Sequence, residues 1–440
     1  MSTGRSRRTF LRDLAAGAAL LPVALRPDEA SGAAPAGSSA GDGSLSAVRR
    51  AGEPPDERYW EQVRAQFAFG EDRVPMNAAN LCPSPRVVAE AVTDWTHDID
   101  VDCSFQNRGK FGDLLEESRV GVAGMLGVDP DEVALVRNTS EANNTINAGI
   151  PLGPGDEVVL WDQNHPTNNV AWDVRAARYG ATVRRVSVPV RPAGPQELID
   201  PFVAALTDRT RVLSLTHVSN LSGIRLPVRE IADAARARVP GIHVHLDGAQ
   251  TLGADVLDLR ALGVDSYSSS THKWLMGPKE AGLLYVRADR IPEIWPAGVA
   301  PGWGSDADPD PVGARKFESL GQRDDACLAA VGRTVAFHRE IGIDEIATRV
   351  TALATALKEG VAELGVPLLT PLEPARSGGV CILEVTGDRQ AVFDRVYREH
   401  GIAGAPTGGL RFSPHVYNTM AHVDRAVEAV GALRGEIVGA

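Results

Sequence analysis

None of the four cysteines (Cys82, Cys103, Cys327 and Cys381) stands at CxxC spacing, so a zinc ribbon or dithiol redox centre lacks its ligands. No apolar run reaches the roughly 20 residues that a membrane-spanning helix needs. Basic residues are in deficit. The 45 Lys and Arg are outnumbered by 57 Asp and Glu, giving a net charge of −12, which argues against a nucleic-acid binder that must neutralise phosphates with clustered cations. No internal repeat at a solenoid period occurs. What remains is ordinary globular material, 43% hydrophobic and 23% charged over 440 residues, enough for a sizeable core and more than one domain. A small or zwitterionic substrate suits such a chain.

The first residues are different in character. Ser6 to Leu25 reads "SRRTFLRDLAAGAALLPVAL", with Arg7 and Arg8 ahead of Phe10 and Leu11 and then an Ala/Leu/Gly-rich run that still holds Asp13. A basic start, a short apolar stretch and an A-x-A site at Ala34-Pro35-Ala36 read as a cleavable signal over residues 1–36. The twin arginine resembles a Tat signal, so the expectation is export of the folded protein by the Tat machinery, to the periplasm or outside the cell. Residues 37–56, dominated by Gly, Ser, Ala and Pro, read as a disordered linker.

From about Val133 short β-branched runs alternate with helical patterns. "EVALV", "DEVVLW", "TVRRVSV", "RVLSLTHVS", "HVHLDGA", "VDSYSSS" and "AGLLYVRA" are candidate strands. Their alternation with helices predicts an α/β fold, a mostly parallel sheet with helices on both faces. Such sheets bind ligands at the carboxyl ends of their strands. After Asp325 come amphipathic helices, the strands "GVCILEVTG" and "GLRFSP", and a final helix. The expected division is a large domain over 57–325, including the N-terminal segment, and a smaller α+β domain over 326–440.

Polar residues gather at the ends of these strands. Thr139 and Ser140 in "RNTSEANN" stand where a strand gives way to a helix, a place that favours an anion, although Ser and Thr also serve there as plain caps. Asp247 ends "HVHLD" just before Gly248. Its carboxylate either caps the turn or holds a protonated heterocyclic nitrogen. Asn220 in "HVSNLSG" is placed to bond a phenolic oxygen, and His165 in "DQNHPTNN" to stack on a flat ring. In "SSSTHKWLMGPKEAG", Lys273 lies between His272 and Trp274 after a run of hydroxyl residues. A lysine that must lose its proton and attack a carbonyl needs such a confined setting. Together these groups describe pyridoxal 5'-phosphate (PLP), with Lys273 forming the Schiff base and Ser270 and His272 holding the phosphate. A rival reading comes from His243 and His245, which share one strand face with Asp247 and match a metal-dependent hydrolase. No second cluster with ligand spacing accompanies them, so they read as structural histidines.

At these residues the chain resembles the class V aminotransferases, fold type I PLP enzymes that include cysteine desulfurases and isopenicillin N epimerase. The likeness runs from about Met76 to Val430, and "STHKWLMGPKEAGLLYV" is its most specific part; "HLDGAQ", "VSNLSG", "NHPTN" and "RFSPHVYNT" support it. The resemblance implies that Gln250 contacts the ring hydroxyl, that Arg411 grips the substrate carboxylate, and that the enzyme is a homodimer. Three departures stand out. "GIAGAPTGGLRF" lacks the desulfurase cysteine, Gly321-Gln322 replaces the Gly-Thr that reaches the partner's phosphate site, and Glu280 fills a place usually held by a small residue. The resemblance therefore implies chemistry at the Cα of an amino acid, of epimerase or aminotransferase type. Lyase and oxidative deaminase or decarboxylase outcomes stay open on the same core. If the leader is a Tat signal, changing Arg7 and Arg8 together to Lys should leave the protein in the cytoplasm, as cell fractionation would show; unchanged export would refute the assignment.

Overall fold

The computed structural model describes residues 54–300 and 313–439. The signal expected over 1–36, and all of the linker but Pro54 to Asp56, lie outside the described residues.

Strand β1 is Val74–Pro75. The next strands are β2 (Val133–Val136), β3 (Glu157–Trp161), β4 (Thr182–Val186) and β5 (Thr210–Thr216), followed by β6 (His243–Asp247), β7 (Ser266–Ser270) and β8 (Gly282–Val286). Strands β2 to β8 form one seven-stranded sheet in the order β2-β8-β7-β6-β5-β3-β4. Every pairing from β4 to β7 is parallel, whereas β8 runs antiparallel to both β7 and β2. Because β8 is reversed between them, β2 points the same way as β7. All seven sequence-predicted strands are present.

Alternating residues send the sheet into two cores. Val159, Trp161, Leu213, Leu215, Val244, Leu246 and Tyr267 pack on one face with Leu198, Phe202 and Ile231 from the helices Gln196–Ala205 and Val228–Arg238. On the other face, Val136, Val158, Leu160 and Val212 pack with Ile146 and Trp172 from the helices Thr139–Gly149 and Pro166–Tyr179. Covering both faces explains why β3 is apolar without alternation after Glu157 and buried throughout. Edge strand β4 instead turns Arg184 and Arg185 outward, which blunts a free edge.

The C-terminal region builds its own small layers. β9 (Cys381–Leu383) pairs antiparallel with β11 (Leu410–Phe412), and β10 (Ile402–Ala403) pairs in parallel with β1. The N-terminal segment thus contributes a strand to this part of the chain. Leu353, Leu357 and Val361 of helix Ile343–Glu363 pack with Val423, Ala426 and Val430 of helix Met420–Ala432 over Leu383 and Phe412. A further cluster joins Trp274 and Met276 to Phe337, Val350 and Tyr417. It ties the segment after β7 to the C-terminal helices.

Two local features hold the ends of β6 and β7. Tyr267 lies against the turn after β6, donating its OH to the Gly248 carbonyl at 3.1 Å. A Cβ at residue 248 would fall 1.9 Å from the ring, so only glycine fits. After β7, Thr271 closes a loop by donating its hydroxyl to Pro278 O at 2.7 Å and Ala281 O at 3.0 Å, while its carbonyl accepts from Gly277 N. Inside that loop Met276 takes φ 56°, a left-handed backbone that costs a side-chain-bearing residue about 1 kcal/mol or more. Gly248→Ala should lower stability by about 1–3 kcal/mol through overpacking, read as a lower urea midpoint; an unchanged midpoint would show that the Tyr267 ring moves aside freely.

Candidate active site

The carboxyl ends of β2, β3, β5, β6 and β7 converge on a cavity of about 240 Å³. Thr139 and Ser140 enter it from the first turn of helix Thr139–Gly149, and His165 from the turn after β3. Asn220 follows β5, Asp247 and Gln250 come from the end of β6, and Ser270, His272 and Lys273 from the end of β7. These nine residues, scattered over 135 positions of sequence (139 to 273), share one wall.

At one end, hydroxyls meet a helix N-terminus. The Thr139 N–H donates to Ser270 Oγ at 2.7 Å, and the two side-chain oxygens lie 2.6 Å apart. Asn138 caps the helix by accepting from Glu141 N. His272 Nδ1 is buried without a hydrogen-bond partner, and burial pushes its pKa down to about 4. A helix dipole, adjacent hydroxyls and an orphaned imidazole nitrogen make a receptor for a phosphate.

Asp247 is 2% exposed, with Oδ1 accepting from Ala249 N at 3.0 Å and Oδ2 from Asn143 Nδ2 at 2.9 Å. Gln250 is held at both ends of its amide. Trp274 Nε1–H donates to Oε1 at 2.8 Å, and Nε2 donates to Ala79 O at 2.9 Å. Trp274 therefore sets which way the amide faces, and Nε2 keeps a second N–H beyond that bond. His165 Nδ1 lies 2.8 Å from Thr167 Oγ1. Loss of water lowers its pKa, with the charge of Lys273 acting the same way and Asp247 opposing.

Lys273 faces the cavity with protein packed around the rest of its side chain. Desolvation lowers its pKa, Asp247 opposes that shift, and Arg411 adds to it. Arg411 is 2% exposed and stands one layer behind the wall, with Nη1 donating to Asn220 O at 3.0 Å and Nη2 reaching Asn77 Oδ1 at 3.5 Å. Its Nε is buried without a partner, and burial brings its pKa down to about 10.

Gln322 is not brought into this cavity. Its side chain is exposed, donates to Arg323 O at 2.8 Å, and lines a separate cavity with Arg137, Glu280 and Arg323. Glu280 thus has a location beside Gln322. The histidines read as alternative metal ligands have committed ring nitrogens: His243 Nε2 faces Ser266, and His245 faces Ser266 and Asn143. Among the described residues no cluster of three or more His, Cys, Asp or Glu could hold a metal ion. No thiol lines the cavity. All four cysteines are free, and burial pushes Cys381 in β9 and Cys82 up to about 12.

Sequence reasoning missed Asn80, Asn138, Thr167, Thr216 and Ala249, which also line the cavity. Thr216 had a signal, since it ends β5 as Asp247 ends β6. Asn80 had none, because it arrives from the N-terminal segment through long-range packing.

Residues 82–426 match the family described as Aminotransferase class-V. The chain is also 30% identical over 395 residues to isopenicillin N epimerase of Streptomyces clavuligerus, covering 86% of this chain and 99% of that protein. The chain belongs to the class V aminotransferase family. A probable cysteine desulfurase of Halobacterium salinarum is 30% identical over 420 residues, covering 85% of this chain and 96% of the relative. Among solved structures, the C-DES protein with glycine covalently linked to its PLP cofactor superposes with a TM-score of 0.77 at 23% identity, covering 86% of this chain and 99% of that one. The cysteine desulfurase CsdA from Escherichia coli gives a TM-score of 0.75 at 23% identity, covering 88% and 100%. These place the fold as that of fold type I PLP-dependent enzymes.

Class V aminotransferases depend on PLP, and the cavity fits that cofactor. Its phosphate could be held by the orphaned His272 nitrogen and the Thr139–Ser270 hydroxyl pair, its ring nitrogen by Asp247, and its aldehyde by Lys273.

The lowered pKa of Lys273 has a consequence for stability. A buried lysine binds its proton less readily in the folded chain than in the unfolded one, where 10.5 is ordinary. Folded stability therefore rises as pH climbs from the folded pKa towards 10.5, and the penalty of burying the ammonium is largest below that window. In the cofactor-free protein, Lys273→Met should raise the thermal midpoint at pH 7, with the gain fading as the pH approaches 10.5; a gain independent of pH would contradict a desolvated amine.

Proposed function

We propose that this PLP enzyme moves a proton at the Cα of an amino acid that carries a free α-carboxylate, in an epimerase-type reaction. One observation carries the reading: the Lys273 amine faces the cavity with its pKa lowered by desolvation, while no thiol lines the wall. A lysine poised to be neutral can take a proton from carbon and return it. Persulfide chemistry needs a thiolate at the cavity; Cys381 and Cys82 are buried with raised pKa values, and exposed Cys103 does not line it.

When bound, the cofactor supplies an electron sink for charge that develops at Cα. The chain's own groups do the rest. Asp247 would hold a proton on the ring nitrogen. Gln250, oriented by Trp274, and Asn220 would bond the ring hydroxyl, and His165 would cover a ring face. Arg411 supplies positive charge behind Asn220, and its fork, once turned from Asn220 O and Asn77 Oδ1 towards the cavity, would grip a carboxylate with two parallel hydrogen bonds and orient the Cα–H bond. In this reading residues 326–440 act as the smaller domain that brings Arg411 to the site. The similarity to isopenicillin N epimerase supports the choice of epimerisation over transamination.

We further infer a homodimer exported in folded form. Exposed Val170, Val174 and Tyr179 border a cavity that shares Ser140 and Thr167 with the first, and exposed Trp295 lies beside them at Gly149. Apolar exposure next to a site suits a subunit contact, and across it Gln322 would reach the partner's phosphate site. The twin arginine supports the export route.

Borohydride treatment of the yellow holoenzyme should fix the cofactor on the peptide containing Lys273. Incubation of single-enantiomer amino acids in deuterated water should then give Cα deuterium and loss of optical purity. Arg411→Lys should slow this exchange at least about tenfold for amino acids, because the fork is lost, and much less for the matching amines without a carboxylate. Keto acid without exchange would favour an aminotransferase; released sulfide would overturn the reading.

A further inference from the structure

The face of the sheet that carries Asp247 turns polar at its centre. His243, His245 and Asp247 alternate along β6, and the parallel register sets Ser266 opposite His245 and Ser268 opposite Asp247. All five are buried, and Asn143 of helix Thr139–Gly149, with no exposure at all, packs onto them. The opposite face at the same level is apolar, with Val244, Leu246 and Tyr267. A stack of serines and histidines in a sheet interior is a poor substitute for packing unless every polar atom finds a partner.

The hydrogen bonds settle their own directions. A carboxylate only accepts, so Asn143 turns Nδ2 towards Asp247 Oδ2, at 2.9 Å. Asn143 Oδ1 must then accept, from Ser268 Oγ–H at 2.5 Å and from His245 Nε2–H at 2.8 Å. Burial holds His245 neutral, its pKa pushed down to about 3, so a ring with Nε2–H has Nδ1 free to accept. Ser266 Oγ–H donates to that nitrogen at 2.8 Å. Having used its proton, Ser266 Oγ accepts from His243 Nε2–H, also at 2.8 Å. Each donor points along the chain in the same sense, from His243 to Asp247.

We propose that His243, Ser266, His245, Asn143 and Ser268 form a one-way relay of donors that positions the Asp247 carboxylate and sets how strongly it holds a proton on the cofactor's ring nitrogen. They are positioning residues, acting through Asp247 and touching neither substrate nor cofactor. Bonds that run head to tail polarise one another, so a change at the far end reaches the carboxylate without any contact with it. The inference rests on the PLP reading of the cavity. It assigns the histidine pair a role that neither metal binding nor plain packing provides.

The test uses holoenzyme loaded with PLP carrying heavy nitrogen in its ring, whose nuclear magnetic resonance signal reports ring-nitrogen protonation directly. The wild-type protein should show a protonated ring nitrogen. Asn143→Ala should move the signal towards the unprotonated position and lower turnover by about tenfold to a hundredfold, on the scale that outer hydrogen-bond partners command at metal sites. Ser266→Ala, two bonds further back and changed by a single oxygen, should move it in the same direction by less. His245→Gln, which keeps an N–H for Asn143, should retain more of the wild-type signal than His245→Leu. A wild-type signal in folded Asn143→Ala or folded Ser266→Ala overturns the relay. If Asn143→Ala does not fold, Ser266→Ala decides alone. Failure of the wild-type protein to bind PLP would instead remove the reading of the cavity, an outcome separate from any difference among variants.

Discussion

Desolvation of the Lys273 amine is the constraint that the rest of the site answers. An ammonium group in a confined protein cavity loses hydration that its neighbours only partly restore, so the neutral amine is favoured. Asp247 pulls against this shift and Arg411 pushes with it. The opposition suits a site that needs a negative charge at the ring nitrogen and a positive one near the substrate. Asp247 has both oxygens committed, one to Ala249 and one to Asn143. Its position is therefore held by the fold and not by attraction to the lysine.

That holding is expensive in packing terms, and the sheet meets it by dividing labour between its faces. One face of β6 and β7 is built from Val244, Leu246 and Tyr267, and Tyr267 is seated against a residue that must be glycine. The other carries the histidines and serines that surround Asp247. Trp274 performs a similar double task. Its rings fill a cluster with Phe337, Val350 and Tyr417, while its Nε1–H orients Gln250. A change in C-terminal packing would therefore be felt at the cavity wall. Burial of a ring that large, worth several kcal/mol, anchors the donor whose hydrogen bond, with that to Ala79 O, fixes the Gln250 amide in one orientation.

Relatives of this chain carry the names of an epimerase and of desulfurases, so the scaffold alone does not select a reaction. Selection lies in what stands around the lysine. Here no thiol lines the cavity, Cys82 and Cys381 are buried elsewhere, and the stretch before Arg411 contains none. A proton-transfer outcome needs only a base that can return what it takes, the part proposed for Lys273.

Much of this was legible in the residues themselves. The seven large-sheet strands showed as short β-branched or apolar runs between helical patterns, because a buried parallel sheet needs such runs. Lys273, Asp247, His165, Asn220 and the Thr139-Ser140 pair showed because polar residues at the ends of buried strands are dispensable to the fold. Their convergence on one wall followed from the rule that parallel strands end on the same side. Other features depended on which residues meet across the structure. Asn80 reaches the cavity from a segment paired with the C-terminal region, and Arg411 lies behind Asn220 instead of in the wall. Gln322 stays apart in a single chain. His243 and His245 were recognisable as a pair on one strand face, yet their partners could not be read from it. Those partners depend on the register of β6 against β7 and on the face that helix Thr139–Gly149 lays over them. The register joins strands 21 residues apart and the helix rotation depends on a segment 102 residues from His245, and local sequence encodes neither.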